Sequence, residues 1–158
     1  MEKINETKVK QAEYLLLEKQ VEAILDNETN LIANLANVCA ILKEAKSFFW
    51  VGFYLFQENE LILGPFQGPV ACTRIAPNKG VCGHAFSRKE TTNVPNVHNF
   101  EGHIACSALS NSELVIPMIK NDICYGVLDI DSQDFNAFDT LDCHHLERII
   151  ACVTNHCF

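Results

Sequence analysis

Three of the eight cysteines, Cys72, Cys82 and Cys106, lie in a glycine-rich segment that runs from residue 64 to residue 112. Long irregular segments in a compact domain are usually functional loops rather than linkers. A cysteine thiolate is a nucleophile, and a second thiol nearby can trap its oxidised form as a disulfide. The segment therefore predicts thiol redox chemistry in loops over a pocket, with the third cysteine as a spare or resolving thiol.

The remaining cysteines fall in predicted helices, in a predicted strand or at the C-terminus, and we interpret them as packing or incidental residues. They are Cys39, Cys124, Cys143, Cys152 and Cys157. The overall cysteine content stays below the roughly 8–10% that is typical of small disulfide scaffolds. The chain is therefore not predicted to depend on structural disulfides.

Aromatic and acidic side chains recur with the period of a β-strand on either side of this segment. Trp50 and Tyr54 share one strand face and flank a glycine, which predicts a gap between two ring walls. Asp129 and Asp131 share a face of another strand, and Glu113 begins the neighbouring one. Burial and like charges raise the pKa of clustered carboxyls, which can then bind an ammonium group or donate a proton near neutral pH. The simpler interpretation is that the acids face water and that the rings only pack.

A mixed Cys/His metal site is one alternative for the loops. Its candidate ligands would be Cys82, His84, His98, His103 and Cys106. The chain has no C-x-x-C pair and no H-x-x-x-H step, which are among the spacings that structural zinc sites favour, so we expect neither a metal nor another cofactor. A hydrolytic arrangement of Cys106, His103 and an acid is a second alternative, but it lacks a recognisable oxyanion-hole motif.

The elements that must position these side chains follow from hydrophobic periodicity. The pattern predicts helices at residues 8–25, from Leu31 onward and at 138–155, strands at 47–56 and 61–66, and a hairpin of ELVIPMIK and ICYGVLDID about Asn121-Asp122. The order α-α-β-β-loops-β-β-α predicts an α+β fold in which an antiparallel sheet carries its helices on one side.

Length and charge limit the class of protein. The chain has 158 residues, so we expect one domain over residues 1–158, with N-terminal helices at 1–46, sheet and active-site loops at 47–131 and the C-terminal helix at 138–155. The formal net charge of −8 argues against nucleic acid and membrane surfaces as partners. No apolar run reaches the ~18 residues of a membrane span, and the N-terminus does not have the pattern of a signal peptide, so we expect a cytoplasmic protein.

Six strings occur in an order and at a spacing that resemble one family: FWVGFYL, GPFQGPVACTRI, NKGVCGHA, GHIAC, SELVIP and GVLDIDS. They are similar to the free methionine-(R)-sulfoxide reductases, which are built on a GAF domain. The resemblance implies a six-stranded antiparallel sheet with helices packed on one side and loops covering a pocket on the other, and commonly a homodimer. It also implies reduction of free L-methionine (R)-sulfoxide to methionine, with thioredoxin restoring the oxidised enzyme.

The resemblance also implies roles for the three loop cysteines. Cys106 of GHIAC would be the nucleophile, Cys72 of PVACTR the resolving thiol, and Cys82 of GVCG the third motif cysteine. The chain departs from the family pattern at Ser107, where an acid usually follows the nucleophile, and at Asn96, where an aspartate is usual. Both positions lie in the loop over the predicted site.

The acidic and aromatic residues match the family's pocket. Glu113 and Asp131 are assigned to the sulfoxide oxygen and Asp129 to the substrate ammonium, while Trp50 and Tyr54 match the aromatic walls. The competing functions are a GAF module that binds a small ligand without turnover and a redox sensor that uses its cysteines as a switch.

Overall fold

The computed structural model describes residues 2–104 and 106–158, with side chains from residue 5 onward. Four helices are present in these ranges: α1 (Glu2–Leu25), α2 (Leu31–Lys46), α3 (Gly80–Arg88) and α4 (Thr140–Cys157). The strands are β1 (Trp50–Gln57), β2 (Glu60–Gln67), β3 (Arg74–Ile75), β4 (Thr92–Val94), β5 (Ser112–Lys120) and β6 (Ile123–Ser132), and a 3₁₀ turn spans Val97–Asn99.

All the strands join one antiparallel sheet in the order β3-β2-β1-β6-β5-β4. The predicted α+β fold with a six-stranded antiparallel sheet is therefore confirmed. The strands β1 and β6, which carry the aromatic and acidic side chains, are neighbours at the centre of the sheet. The predicted first helix begins earlier than expected, at Glu2, and the loop-rich middle contains β3, α3 and β4.

Strand alternation separates two cores. Val51, Phe53, Leu128 and Ile130 point from the central strands into a core that they form with the helices α1, α2 and α4. The opposite face carries a second core, in which Trp50, Tyr54, Val115 and Val127 pack against residues of α3. The helices α1, α2 and α4 thus lie on one side as predicted, and the short helix α3 covers the face that carries the predicted pocket.

The turn between β5 and β6 sets the register of the acidic strands. Asn121 and Asp122 both have positive φ values, 51° and 63°, which is the backbone of a two-residue hairpin turn. A tight turn of this kind fixes the pairing of the residues next to it. A register shift between Pro117 and Ile119 then moves the pairing by one residue, so Glu113 is the partner of Asp131 at the far end of the two strands.

Side-chain caps fix the ends of the helices that support the sheet. The Asn30 side chain accepts a hydrogen bond from the Ala33 amide at the start of α2, and Asp139 and Asp142 form a capping box at the start of α4. Tyr14 of α1 donates a hydrogen bond of 2.7 Å to the Asp142 carboxylate, which ties α1 to α4. No helix in the described part of the chain is long and apolar enough to cross a membrane.

Candidate active site

Three carboxyls meet at the end of the central strands. Across β1 and β6, Trp50 opposes Asp131 and Gly52 opposes Asp129, while Glu113 of β5 opposes Asp131 from the other side. The side chains of Glu113 and Asp129 are buried, and that of Asp131 is largely buried. The structure thus brings together the three acids that the sequence placed on one face, and it covers them rather than leaving them in water.

Burial raises the pKa values of all three carboxyls above those of exposed carboxyls, and neighbouring negative charges add to the effect at Glu113 and Asp129. The pKa of Glu113 is raised by burial and by the charge of Asp131, and the pKa of Asp129 is raised by burial, by Glu113 and by Asp131. Burial raises the pKa of Asp131 to about 6, although a hydrogen bond from Ser110 and the nearby His103 oppose that shift. The cluster can therefore hold protons near neutral pH.

The carboxyls of Asp129 and Glu113 lie in hydrogen-bonding contact with each other. Two carboxylates can bond in this way only if one of them carries a proton. Because the pKa values of both carboxyls are raised, the pair shares a proton in this state. The other oxygen of Asp129, Oδ1, is buried and has no hydrogen-bond partner among the described residues.

His103 is the basic side chain that reaches this cluster. Its Nε2 lies 3.5 Å from Oε2 of Glu113, and its side chain is largely buried. Burial lowers the pKa of His103, and the nearby Asp131 only partly offsets that effect. The imidazole is therefore mainly neutral at pH 7, and it offers Glu113 a hydrogen-bond partner rather than a full positive charge.

Cys82 is the fully covered thiol of the site. It lies in α3, and its Sγ is 3.9 Å from Oε1 of Glu113. Burial, Asp129 and Glu113 all raise the pKa of this thiol far above its usual value. Because the thiolate is the reactive form, Cys82 is held as an unreactive thiol in this state.

Cys82, Glu113 and Asp129 also form the one group of potential metal ligands in the described part of the chain, with ligand atoms within 4.8 Å of one another. All three groups have raised pKa values, so a metal would have to displace their protons. Two histidines of the ligand set predicted from the sequence lie elsewhere: His84 packs against the edge of Phe100, and His98 contacts Asn111. The structure does not assemble that set.

The Cys72–Cys106 disulfide lies beside the acids. The two Cα atoms are 5.5 Å apart, and both side chains are half-buried. Cys106 lines the same cavities as Asp129 and Asp131. The other six cysteines are free thiols, of which Cys39, Cys82 and Cys124 are buried.

The aromatic residues hold the loop that carries Cys72. The Tyr54 hydroxyl donates a hydrogen bond of 2.8 Å to the Cys72 carbonyl, and the Trp50 indole donates one of 3.0 Å to the Pro69 carbonyl. Burial and the three nearby acids raise the pKa of Tyr54, so the phenol remains a donor. Both rings therefore position the loop that carries Cys72 in addition to bordering the cavity.

The expected gap at Gly52 is not open. A Cβ at this position would collide with the Trp50 ring on one side and with Cβ of Phe66 on the other. The Trp50 indole thus lies over Gly52 and stacks on Phe66, with ring centroids 5.4 Å apart. The prediction of a gap between two ring walls is wrong because the indole itself occupies the space that the glycine leaves.

The site residues line two small adjoining cavities. Both are lined by Cys106, Ser107, Asp129 and Asp131. The first adds eight other residues that include Cys82, His103 and Glu113, and the second adds Trp50, Tyr54 and the loop before Cys72. Larger grooves on α1 and α2 lack cysteines and lie on the opposite side of the sheet.

Sequence reasoning missed two contacts of the site. It considered His103 as a metal ligand or a hydrolytic base, not as the partner of Glu113, and it did not single out Ser110, whose buried hydroxyl donates to Asp131. The only signal was position: Ser110 precedes the strand that carries Glu113 by two residues, and His103 precedes Cys106 by three. Neither spacing distinguishes a site residue from an ordinary loop residue.

The comparisons with known proteins cover nearly the whole fold. The GAF domain family matches residues 20–153. GAF domain-containing protein A of Dictyostelium discoideum is 53% identical to this chain, over 92% of this chain and 93% of its own length. The free methionine-R-sulfoxide reductase of Escherichia coli strain K12 is 44% identical, over 87% of this chain and 84% of its own length. The crystal structure of the Neisseria meningitidis free methionine-R-sulfoxide reductase with its substrate is 45% identical and superposes with a TM-score of 0.91, over 93% of this chain and 89% of that one.

Proposed function

We propose a function on the premise that this chain belongs to the free methionine-R-sulfoxide reductase family of GAF-domain proteins and is an oxidoreductase. It reduces free L-methionine (R)-sulfoxide to L-methionine. The observation that carries the proposal is the disulfide between Cys72 and Cys106, which lies beside three carboxyls of raised pKa.

The reaction begins with the reduced thiols, and Cys106 is the nucleophile. Its sulfur attacks the substrate sulfur and forms a transient sulfur–sulfur bond. The oxygen then becomes bonded to the Cys106 sulfur, while its bond to the substrate sulfur and the transient sulfur–sulfur bond both break. Two electrons move from the cysteine to the substrate sulfur, which leaves methionine and a sulfenic acid on Cys106. The proton lost by the thiol is balanced by the one that the transferred oxygen gains, so the step consumes no net proton.

Cys72 then closes the cycle on the enzyme. Its thiol attacks the Cys106 sulfur, the sulfur–oxygen bond breaks, and the oxygen leaves as water. The product is the Cys72–Cys106 disulfide, and the 5.5 Å between the two Cα atoms is compatible with it. A dithiol of thioredoxin reduces this bond and becomes a disulfide itself, which restores both enzyme thiols.

The acids divide into one binding group and two proton donors. The unpaired Oδ1 of Asp129 is available to accept a bond from the substrate ammonium. A positive charge at Asp129 favours its ionised form, so the shared proton moves to Glu113, with which it is in contact. Substrate binding therefore loads Glu113, together with Asp131, for proton donation to the sulfoxide oxygen.

Trp50 supplies the apolar surface for the S-methyl group, because its indole borders the cavity shared by Cys106 and Asp129. Thioether and methyl groups pack favourably against aromatic rings. His103 lies beside Glu113, where its imidazole can take up a proton from solvent and pass it to that carboxyl between turnovers. Cys82 lies behind the acids and is not the attacking thiol.

The reducing compartment and the assembly follow from the same proposal. A disulfide that opens and closes in each cycle requires the thiol-rich conditions of the cytoplasm. A homodimer is consistent with exposed apolar side chains on the outer helices, namely Val9, Leu15, Leu16 and Ile32. Sedimentation of the purified chain would measure this oligomeric state directly.

One assay tests the proposed function. Reduced enzyme is mixed with thioredoxin, thioredoxin reductase and NADPH, and free methionine (R)-sulfoxide is the only oxidant. We expect NADPH consumption matched by methionine, and neither with the (S)-isomer. A protein that forms no methionine from the (R)-isomer, even with dithiothreitol as reductant, would instead be a ligand-binding or redox-sensing GAF module.

A further inference from the structure

Exposed apolar side chains flank the Cys72–Cys106 bridge. Val70 is 88% exposed and Leu109 is 57% exposed. Val70 lies two residues before Cys72 and Leu109 lies three residues after Cys106, so their Cα atoms are within about 7 Å and about 11 Å of the respective cysteines. These two side chains therefore lie on the rim of the half-buried disulfide.

The segments around the two cysteines carry little free charge. Residues 61–73 and 102–112 contain no Asp, Glu, Lys or Arg, although such residues make up 20% of the chain and its net charge is −8. Arg74, two residues after Cys72, is exposed but paired with Glu58 and Glu60. An opening with little free charge in an acidic surface neither strongly repels nor strongly attracts a partner by its charge. The exposed apolar area around the bridge is what a protein partner could bury there.

We propose that Val70 and Leu109 form the docking surface for the thioredoxin-type dithiol protein that reduces the Cys72–Cys106 bridge. This inference rests on the proposed function. The partner must place its attacking thiolate on one bridge sulfur, which forms a mixed disulfide and releases the other enzyme thiol. The partner's second thiol then attacks the mixed disulfide, so the partner is oxidised by two electrons and both enzyme thiols are free.

A protein reductant and a small thiol make different demands on this surface. The bridge is only half-buried, so dithiothreitol can reach it without contacting the rim. A folded protein has to cover the rim to bring its thiol within bonding distance, and a charge at the rim would then be desolvated without a partner. The rim residues should therefore matter for the protein reductant alone.

The test compares both reductants in the same variants, Leu109→Glu and Val70→Glu. We expect the KM for thioredoxin to rise about tenfold or more in each, the loss typical of a residue near the centre of an interface. In Leu109→Glu, activity with dithiothreitol and the KM for the sulfoxide should stay near those of the unmodified enzyme. Val70 also lines the second cavity, so for Val70→Glu we expect only that the loss with thioredoxin exceeds the loss with dithiothreitol. The variant Leu109→Met, which keeps an apolar side chain, should retain the original KM for thioredoxin.

Ile123→Glu is the matched control. Ile123 is 55% exposed, and it lies at the other end of β6, eight residues or about 26 Å from Asp131. An unchanged KM for thioredoxin in the rim variants, or the same rise in Ile123→Glu, would overturn the docking surface. An equal loss with dithiothreitol would also overturn it, because the residues would then act on the substrate site. Failure of the proposed function is a different result, since the unmodified enzyme would then form no methionine with either reductant.

Discussion

Glu113 and Asp131 face each other across the β5–β6 hairpin, and burial raises the pKa of both carboxyls. In a sheet, like charges at directly opposed positions are destabilising, and here both are removed from water as well. The pair is therefore tolerated only while at least one member is protonated. The unfavourable charge is concentrated where the substrate's sulfoxide oxygen would need protons.

This arrangement makes stability depend on pH in a direction opposite to that of a salt-bridged aspartate. The pKa of Asp131 is about 6 in the folded protein, whereas an unperturbed aspartate has a pKa of about 3.9, so the folded state binds more protons between those values. Its contribution to folding is complete below about pH 4 and is lost as the pH rises through about 6. We expect Asp131→Asn to be more stable than the unmodified protein at pH 7, with the difference vanishing toward pH 4. Urea unfolding at several pH values measures this, and an Asn variant that is less stable at pH 7 would contradict the burial of an ionised Asp131.

The cysteine roles separate in single-turnover experiments. Cys106→Ser should form no methionine, because the other candidate thiol in the cavity, Cys82, is held protonated by burial and by the acids. Cys72→Ser should form about one methionine per enzyme and then stop at the sulfenic acid, for lack of the thiol that traps it. Cys82→Ser should still form the Cys72–Cys106 disulfide.

Peptide mass spectrometry identifies the bridge, and Cys124→Ser is the control because Cys124 is buried in β6 outside the loops. Continued turnover by Cys106→Ser with thioredoxin would assign the attack to a different thiol.

Much of the fold and of the site's composition could be predicted from strand alternation. It correctly divided Val51 and Phe53 from Trp50 and Tyr54, because a strand between two packed layers must alternate its faces. The short helix α3 was not predicted, since nine residues in a glycine-containing segment carry little helical signal of their own and depend on packing against the sheet. The contact of His103 with Glu113 could not be predicted from the sequence either, because it depends on the path of an irregular loop.

The position of the Trp50 ring gives a further prediction. Gly52→Ala should force the indole away from Phe66, because the added Cβ meets the Trp50 ring on one side and Cβ of Phe66 on the other. We expect a loss of about 1–3 kcal/mol in the free energy of unfolding, as for other overpacked cores, and a higher KM for the sulfoxide. The chain has a single tryptophan, so its fluorescence reports the displacement directly.

A double-variant cycle controls for unrelated effects of that substitution. In a Trp50→Phe background the smaller ring leaves room for the Cβ, and the same Gly52→Ala change should cost less stability than in the unmodified protein. Equal losses in both backgrounds would show that the indole is not the group displaced.

The last prediction concerns selectivity for the free amino acid, which the proposed function assigns to Asp129. Its Oδ1 is buried and has no partner among the described residues, so a substrate ammonium would fill a vacant acceptor, and Asp129→Asn should weaken binding of substrate and transition state alike. KM should therefore rise with kcat nearly kept. In contrast, Glu113→Gln should lower kcat by roughly 10²–10⁴-fold if this carboxyl is a general acid. N-acetylation of the substrate removes the ammonium charge, so it should mimic Asp129→Asn in the unmodified enzyme and add little in that variant. Steady-state kinetics of both variants on free and N-acetylated methionine (R)-sulfoxide measure the coupling, and equal activity of the unmodified enzyme on the two substrates would remove Asp129 from ammonium recognition.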